Sequence, residues 1–155
     1  MIVECFLDTN ILLYAASRNQ AQSLKKTKAI DLLDSGKFGI SAQVLQEFYA
    51  NATRKGDDKM SPGVALEWLE RLEMFPCIAV DTALVKRAVA MSERYRISYW
   101  DGAIIAAAEA LGAPVLYTED LNSGQLYGSV RAINPFSEPV GAFHEAQAEP
   151  FEGTG

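Results

Sequence analysis

Histidine occurs only once in this 155-residue chain, as His144, and cysteine only twice, as Cys5 and Cys77. A histidine-rich metal site is therefore excluded, and a serine or cysteine nucleophile activated by histidine is disfavoured. No apolar run approaches the ~18 residues of a membrane helix, and the chain does not begin with basic residues followed by an apolar segment. We therefore expect a cytoplasmic protein without membrane association, in which any catalysis uses carboxylates, hydroxyls or a hard metal ion.

Positive charge is also scarce, because 14 Lys and Arg residues face 20 Asp and Glu residues and leave a formal charge of −6. Taken alone, this balance argues against a nucleic-acid-binding protein, which usually carries a basic surface. Four of the surplus acids, however, are glutamates at or after Glu138, in a stretch without Lys or Arg. We interpret 135–155 as an acidic tail, predicted to be mobile, and 1–134 as one folded domain.

Within that domain, short apolar segments alternate with amphipathic ones, which predicts an α/β domain with a mostly parallel sheet. Several helix starts carry an N-cap residue, such as Ser41, Ser98 and the Ser61-Pro62 pair. The predicted strands, about five in number, are 2–7, 38–40, 77–80, 115–117 and 130–133.

Acidic residues lie near the ends of these strands. Asp8 follows the first strand directly, Glu47 lies one to two turns into the helix after the second, and Glu119 and Asp120 follow the fourth. Asp101 lies in the first turn of the helix that Ser98 begins. Since functional groups of open α/β sheets gather beyond the carboxyl ends of the strands, at least four carboxylates could converge there.

Such a cluster would suit a hard divalent cation. Neighbouring carboxylates oppose each other's ionisation unless a cation lies between them. Mg²⁺ prefers oxygen ligands and commonly binds one or two carboxylates together with phosphate oxygens of a substrate. It can polarise a phosphodiester and lower the pKa of a bound water, chemistry that requires neither histidine nor cysteine.

Four segments that contain these acids resemble the acidic motifs of PIN-domain proteins, most closely the VapC-type toxins of toxin–antitoxin modules. Each motif is short, but all four occur in the expected order and in the expected strand context. The segments are Phe6-Leu7-Asp8-Thr9-Asn10-Ile11-Leu12, Val44-Leu45-Gln46-Glu47-Phe48-Tyr49, Ser98-Tyr99-Trp100-Asp101-Gly102-Ala103-Ile104 and Leu116-Tyr117-Thr118-Glu119-Asp120-Leu121.

The resemblance covers 2–134 and implies a three-layer α/β/α fold, metal-dependent endoribonuclease activity on RNA, a homodimer and inhibition by a cognate antitoxin. The cofactor would be Mg²⁺, with Mn²⁺ as the alternative. The fourth motif has two adjacent acids, and of these Asp120 matches the family pattern while Glu119 does not. By motif position, the metal-site and catalytic acids would be Asp8, Glu47, Asp101 and Asp120, with Thr9, Asn10, Thr118 and Glu119 as supporting polar neighbours.

Each of these residues also has a plainer interpretation. Asp8 could only cap the following helix, and Asp101 could complete a capping box with Ser98. Basic residues flank the proposed site at Arg54 and Lys55 and at Arg94 and Arg96. They could contact RNA phosphates or simply be solvated.

Three alternative functions use similar residues. A signalling receiver would need a phosphoacceptor after the third strand, for which Asp81 is the candidate, and a lysine after the fifth, which is missing. A haloacid-dehalogenase-type phosphatase would need an acid at Asn10. A non-catalytic PIN-fold module that binds nucleic acid stays open, and only a cleavage assay separates it from a nuclease.

Overall fold

The computed structural model describes residues 3–137, and the predicted acidic tail from residue 138 onward, with His144, lies outside them. Local sequence signals set most element boundaries. The side chains of Ser41, Ser61, Asp81 and Ser98 each accept a hydrogen bond from a backbone N–H in the first turn of the helix they precede. In chain order the elements are β1 Cys5–Leu7, α1 Thr9–Ala16, a 3₁₀ turn Gln20–Gln22, α2 Ser23–Asp34, β2 Phe38–Ser41, α3 Ala42–Ala52, α4 Pro62–Leu72, β3 Cys77–Ile78, α5 Thr82–Tyr95, α6 Tyr99–Ala110, β4 Val115–Tyr117, β5 Leu126–Tyr127 and β6 Val130–Ile133.

The sheet has six strands in the order β3-β2-β1-β4-β6-β5, and every pair is parallel except β5 with β6. The sequence predicts about five strands and misses β5, a two-residue edge strand. Because parallel crossovers are right-handed, the leftward steps β1→β2→β3 place α1 to α4 on one face. The rightward step β3→β4 places α5 and α6 on the other. The predicted three-layer α/β/α arrangement is confirmed.

The core consists of apolar side chains from the central strands and the helix faces against them. Phe6, Leu7, Phe38, Ile40 and Leu116 are fully buried in the sheet. No helix among the described residues is both long and apolar enough to cross a bilayer. The strand order changes direction at β1, because β2 and β3 are added on one side of it and β4 on the other. This reversal opens a crevice at the carboxyl edge, where α/β proteins bind ligands.

Candidate functional site

Asp8 occupies that crevice directly after β1 and is only 5% exposed. Both of its carboxylate oxygens accept hydrogen bonds. The backbone N–H of Thr9 donates to Oδ1 at 2.7 Å, as the capping interpretation predicted, and the hydroxyl of Thr118 donates to Oδ2 at 2.6 Å. Since Thr118 follows the neighbouring strand β4, the two strand ends hold this carboxylate in one orientation.

Burial raises the pKa of Asp8 to about 6, because an ionised carboxylate loses hydration in this crevice. The two hydrogen bonds lower the pKa, whereas the negative charges of Asp120 and Glu47 raise it further. The ionised form of Asp8 is therefore destabilised near neutral pH, and a cation beside it would offset this cost.

Asp120 and Glu47 act on Asp8 through their charges, and Asp101 is coupled in turn to Glu47 and Asp120. Burial raises the pKa of Asp101, and the charge of Glu47 adds to the rise, while a hydrogen bond with Ser98 opposes it. Burial also raises the pKa of Asp120, with added contributions from the charges of Asp101 and Glu119. The structure thus brings the four carboxylates, from segments up to 112 positions apart in the chain, close enough for each to be repelled by at least one other.

Glu47 is oriented from two sides. The hydroxyl of Thr9 donates to its Oε1 at 2.8 Å, and the amide of Gln43 lies 3.5 Å from its Oε2. Thr9 thus contributes its backbone N–H to Asp8 and its side chain to Glu47. One threonine couples the first and second acidic motifs.

Asn10 lies between the acids and has one oxygen without a partner. Its Nδ2 is 3.4 Å from Oδ2 of Asp120, which keeps the amide turned toward the fourth motif. Its Oδ1 is the buried side-chain oxygen or nitrogen atom that has no hydrogen-bond partner among the described residues. An unpartnered buried oxygen on a side chain that reaches Asp120 suits a cation or a water that donates to it.

Glu119 is held away from this set by a lysine and a tyrosine that the sequence analysis did not single out. Lys25 Nζ lies 2.7 Å from Glu119 Oε2, and the hydroxyl of Tyr14 donates to Oε1 at 2.7 Å. Lys25 also donates to Tyr14 at 3.1 Å. Both oxygens of Glu119 are therefore engaged, whereas Asp120 next to it faces Asn10. Nothing in the sequence indicates these two pairs, whose partners lie 94 and 105 positions apart in the chain.

The acids are not drawn together into a finished ligand set. Within residues 3–137, no three His, Cys, Asp or Glu side chains surround a common point as the ligands of a metal do. The donor set is nevertheless the oxygen-only set that Mg²⁺ or Mn²⁺ prefers.

A cleft of about 510 Å³ is lined by Asn10 and Asn51, and its charged lining residues are Arg54, Lys55 and Lys59 together with Asp57 and Asp58. Arg54 donates to Asn51 Oδ1 at 2.6 Å, and Asn51 donates to the backbone carbonyl of Glu47 at 2.8 Å. Arg54, of the first predicted pair of basic residues, is therefore linked through Asn51 to the helix that carries Glu47.

The second predicted pair is not linked in this way. Arg94 stacks on the ring of Tyr95, 5.0 Å from its centroid, and Arg96 ends α5 in the left-handed conformation. Their contact with RNA stays a prediction. Asp81, the candidate phosphoacceptor of a receiver, caps α5 by accepting from Leu84 N at 2.8 Å.

Several solved structures share this architecture. A toxin–antitoxin complex from Klebsiella pneumoniae superposes with a TM-score of 0.64 at 20% identity, covering 86% of this chain and 99% of that one. VapC20 of Mycobacterium tuberculosis, described as a sarcin-ricin loop cleaving toxin, superposes with a TM-score of 0.61 at 20% identity, covering 75% and 89%. FitAcB from Neisseria gonorrhoeae gives 0.58 at 21% identity, covering 86% and 99%.

At these identities the neighbours establish the fold alone. No curated protein sequence gives a significant match. The sequence profile of the PIN domain matches residues 5–127, which contain all four acidic motifs. Taken with the strand order and the crevice at β1, this match shows that the chain belongs to the PIN domain family.

Proposed function

We propose that this protein is a metal-dependent endoribonuclease, the toxin of a toxin–antitoxin pair, that hydrolyses RNA phosphodiester bonds at the crevice beside β1. The observation that carries the proposal is the convergence of four carboxylates whose charges oppose one another around the buried Asp8. A structural role does not explain a repelling set that four separate segments contribute. Phosphoryl transfer with a divalent cation does.

In this proposal Asp8, Glu47, Asp101 and Asp120 hold one or two Mg²⁺ ions, or Mn²⁺ in their place. When bound, the ion supplies Lewis-acid stabilisation of charge on the phosphodiester and on the attacking water. Thr9 and Thr118 fix the orientations of Asp8 and Glu47. The same set of acids would also supply the general base for the attacking water.

The acidic net charge is compatible with an RNA substrate. Four of the surplus negative charges lie at or beyond Glu138, and four more belong to acids whose charge bound cations would offset. The cleft that Asn10 and Asn51 line presents Arg54, Lys55 and Lys59 against Asp57 and Asp58. A phosphate backbone would therefore meet a small excess of positive charge there.

The proposal also includes a protein partner. One structural neighbour is a toxin–antitoxin complex, and another is a VapBC complex bound to DNA. By analogy we infer a cognate antitoxin that silences this chain in the cytoplasm, and a homodimer as the active form. Light scattering of the purified chain, alone and co-expressed with the product of an adjacent gene, tests both.

The direct test of the activity is incubation of purified protein with total RNA, with Mg²⁺ and with excess chelator, followed by mapping of the cut ends. Discrete cuts that require the metal are the expected result. Binding of RNA without any cut would favour the remaining alternative, a non-catalytic PIN-fold module that binds nucleic acid. Equal cleavage in chelator would contradict the metal dependence.

The two adjacent acids of the fourth motif are expected to differ in their effects. Asp120→Asn should lower the cleavage rate about 100-fold, because it removes a charge that faces Asn10 and the other acids. Glu119→Gln should lower it less than about fivefold and should destabilise the fold by at most ~1 kcal/mol, since its ion pair with Lys25 is partly solvated. Equal losses in the two variants would contradict this division of roles.

Removing Arg54 and Lys55 together is expected to weaken binding of single-stranded RNA rather than the chemical step. Each lost phosphate contact should reduce the slope of log affinity against log salt by roughly 0.7. Binding measured by fluorescence anisotropy between low and moderate salt gives this slope. Lys86→Ala, at an exposed position on α5, is the control and should leave it unchanged.

A further inference from the structure

A second, smaller pocket lies next to the acids and is not needed to bind a metal. Its volume is about 320 Å³, and its lining is Gln43, Gln46, Glu47, Ala50, Asn51 and Trp100. Asn51 lines both this pocket and the larger cleft of about 510 Å³. Glu47 belongs both to the acid set and to this pocket, so an RNA strand bound at the acids would place a neighbouring nucleotide here.

Trp100 is the unusual member of the lining, because 62% of its surface is exposed immediately before Asp101 in the chain. Its ring packs edge-on against the half-buried Tyr99, with centroids 5.0 Å apart. Its backbone carbonyl lies 3.4 Å from the Gln43 amide that also reaches Glu47. An aromatic ring is thus held at the rim of the site, and one amide connects it to an acidic residue.

Resting on the proposed function, we propose that Trp100 and Gln46 form a subsite that accepts one unpaired nucleobase of the RNA next to the cut phosphodiester. Every base presents a face that stacks on an aromatic ring. Single-stranded RNA is recognised by such stacking together with hydrogen bonds to base edges. The exposed side chain of Gln46 supplies both a donor and an acceptor for such an edge.

The lining combines an apolar surface with polar groups. Most of its exposed surface is apolar, which suits the face of a stacked base, and four of the six lining side chains are amides or a carboxylate, which can bond to the edge of that base. The volume falls at the lower end of the ~300–1,000 Å³ of small-ligand sites, which suits one base with part of its ribose. Asn51 also lines the larger cleft that contains Arg54, Lys55 and Lys59, so a sugar–phosphate chain lying in that cleft would have its next base near this pocket.

The test uses Trp68→Phe protein, in which Trp100 is the only tryptophan, with Ca²⁺ in place of Mg²⁺. An eight-nucleotide single-stranded RNA and a sugar–phosphate chain of equal length without bases are the probes. We expect the RNA to quench Trp100 fluorescence and the abasic chain to leave it unchanged. Equal quenching by the two probes, or none by the RNA, would overturn the subsite.

Affinity and cutting are then measured for substituted proteins. Trp100→Ala should weaken RNA binding about tenfold and change the preferred cut sites, Trp100→Phe should retain most of the binding, and none of the variants should lose affinity for the abasic chain. Gln46→Ala, at an exposed helix position, should alter the base preference with the fold intact. Unchanged RNA affinity in Trp100→Ala, together with conversion of a dimer into monomers, would assign Trp100 to a subunit interface and overturn the subsite.

The two proposals fail in different ways. If the wild-type protein stacks RNA on Trp100 yet never cuts it in Mg²⁺, the nuclease proposal is wrong and Trp100 is a base-stacking residue of a non-catalytic RNA-binding protein. If it cuts RNA with the same site preference in wild type, Trp100→Ala and Gln46→Ala, the subsite is wrong and the nuclease proposal stands.

Discussion

Replacing Asp8 by asparagine is expected to lower RNA cleavage about 100-fold or more and, at the same time, to make the metal-free protein more stable at neutral pH. The activity falls because Asp8 is the most buried carboxylate of the acid set and is close enough to Glu47 and Asp120 for their charges to raise its pKa. The stability rises because a neutral amide of the same size does not oppose its own burial. Few structural residues would show this opposite pair of effects.

The pH dependence follows from the direction of the pKa change. The pKa of Asp8 rises from 3.8 to about 6 on folding, so the folded chain holds this proton more tightly than the unfolded one. The penalty is absent below about pH 4, grows as the pH rises, and is complete above about pH 6. A shift of this size corresponds to about 2–3 kcal/mol, which Asp8→Asn should recover at pH 7.5 but not near pH 4.

Urea unfolding at several pH values in excess chelator measures this difference. Asp31→Asn, at an exposed position on α2, is the matched control and should change neither stability nor cleavage. An Asp8→Asn protein that is less stable than wild type at pH 7.5 would show that Asp8 serves the fold through its hydrogen bonds. Full cleavage activity in this variant would remove Asp8 from the site.

Gly102→Ala is expected to destabilise the fold by about 2–3 kcal/mol, although alanine is the better helix former. A Cβ at Gly102 would lie 2.6 Å from the backbone oxygen of Ala88 and 2.9 Å from the backbone nitrogen of Ser92. These are backbone atoms of α5 and cannot rotate away, so α5 and α6 would have to separate. Because Asp101 precedes Gly102 on α6, this displacement should also lower cleavage.

Gly63→Ala provides the control, because it makes the same substitution in an exposed helix. A Cβ at Gly63 meets nothing within 4 Å, so the change should leave stability unchanged or raise it by up to ~1 kcal/mol. Denaturant midpoints of the two variants decide the matter. A Gly102→Ala protein as stable as Gly63→Ala would contradict the close packing of α5 on α6.

The parts of the fold that depend on local rules could be predicted from the sequence. Ser41, Ser61 and Ser98 begin helices because a side-chain oxygen satisfies an N–H of the first turn, and this signal lies within a few residues. The strand Leu126–Tyr127 could not be predicted, because two residues show no period. It exists through antiparallel pairing with β6 after a turn in which Gly128 has a φ of 60°.

The candidate site, too, could be predicted only in part. The acids themselves could be singled out, because Asp8 and Asp120 follow strands that end at one edge of a parallel sheet and Glu47 and Asp101 lie in recognisable motifs on helices. Their relations could not be predicted, since Thr118 reaches Asp8 across 110 positions and Lys25 reaches Glu119 across 94. Residues far apart in the chain become neighbours only through the strand order. For this reason Tyr14, Lys25 and Gln43 carried no signal in the sequence.

The central claim is that these four acids share a divalent-ion site. The most direct measurement is a titration of the metal-free protein with Mn²⁺, following the free ion by electron paramagnetic resonance at pH 7.5. We expect saturable binding to wild type and to Asp31→Asn, and binding at least tenfold weaker to Asp8→Asn and to Asp120→Asn. Wild-type affinity in both of those variants would contradict the claim.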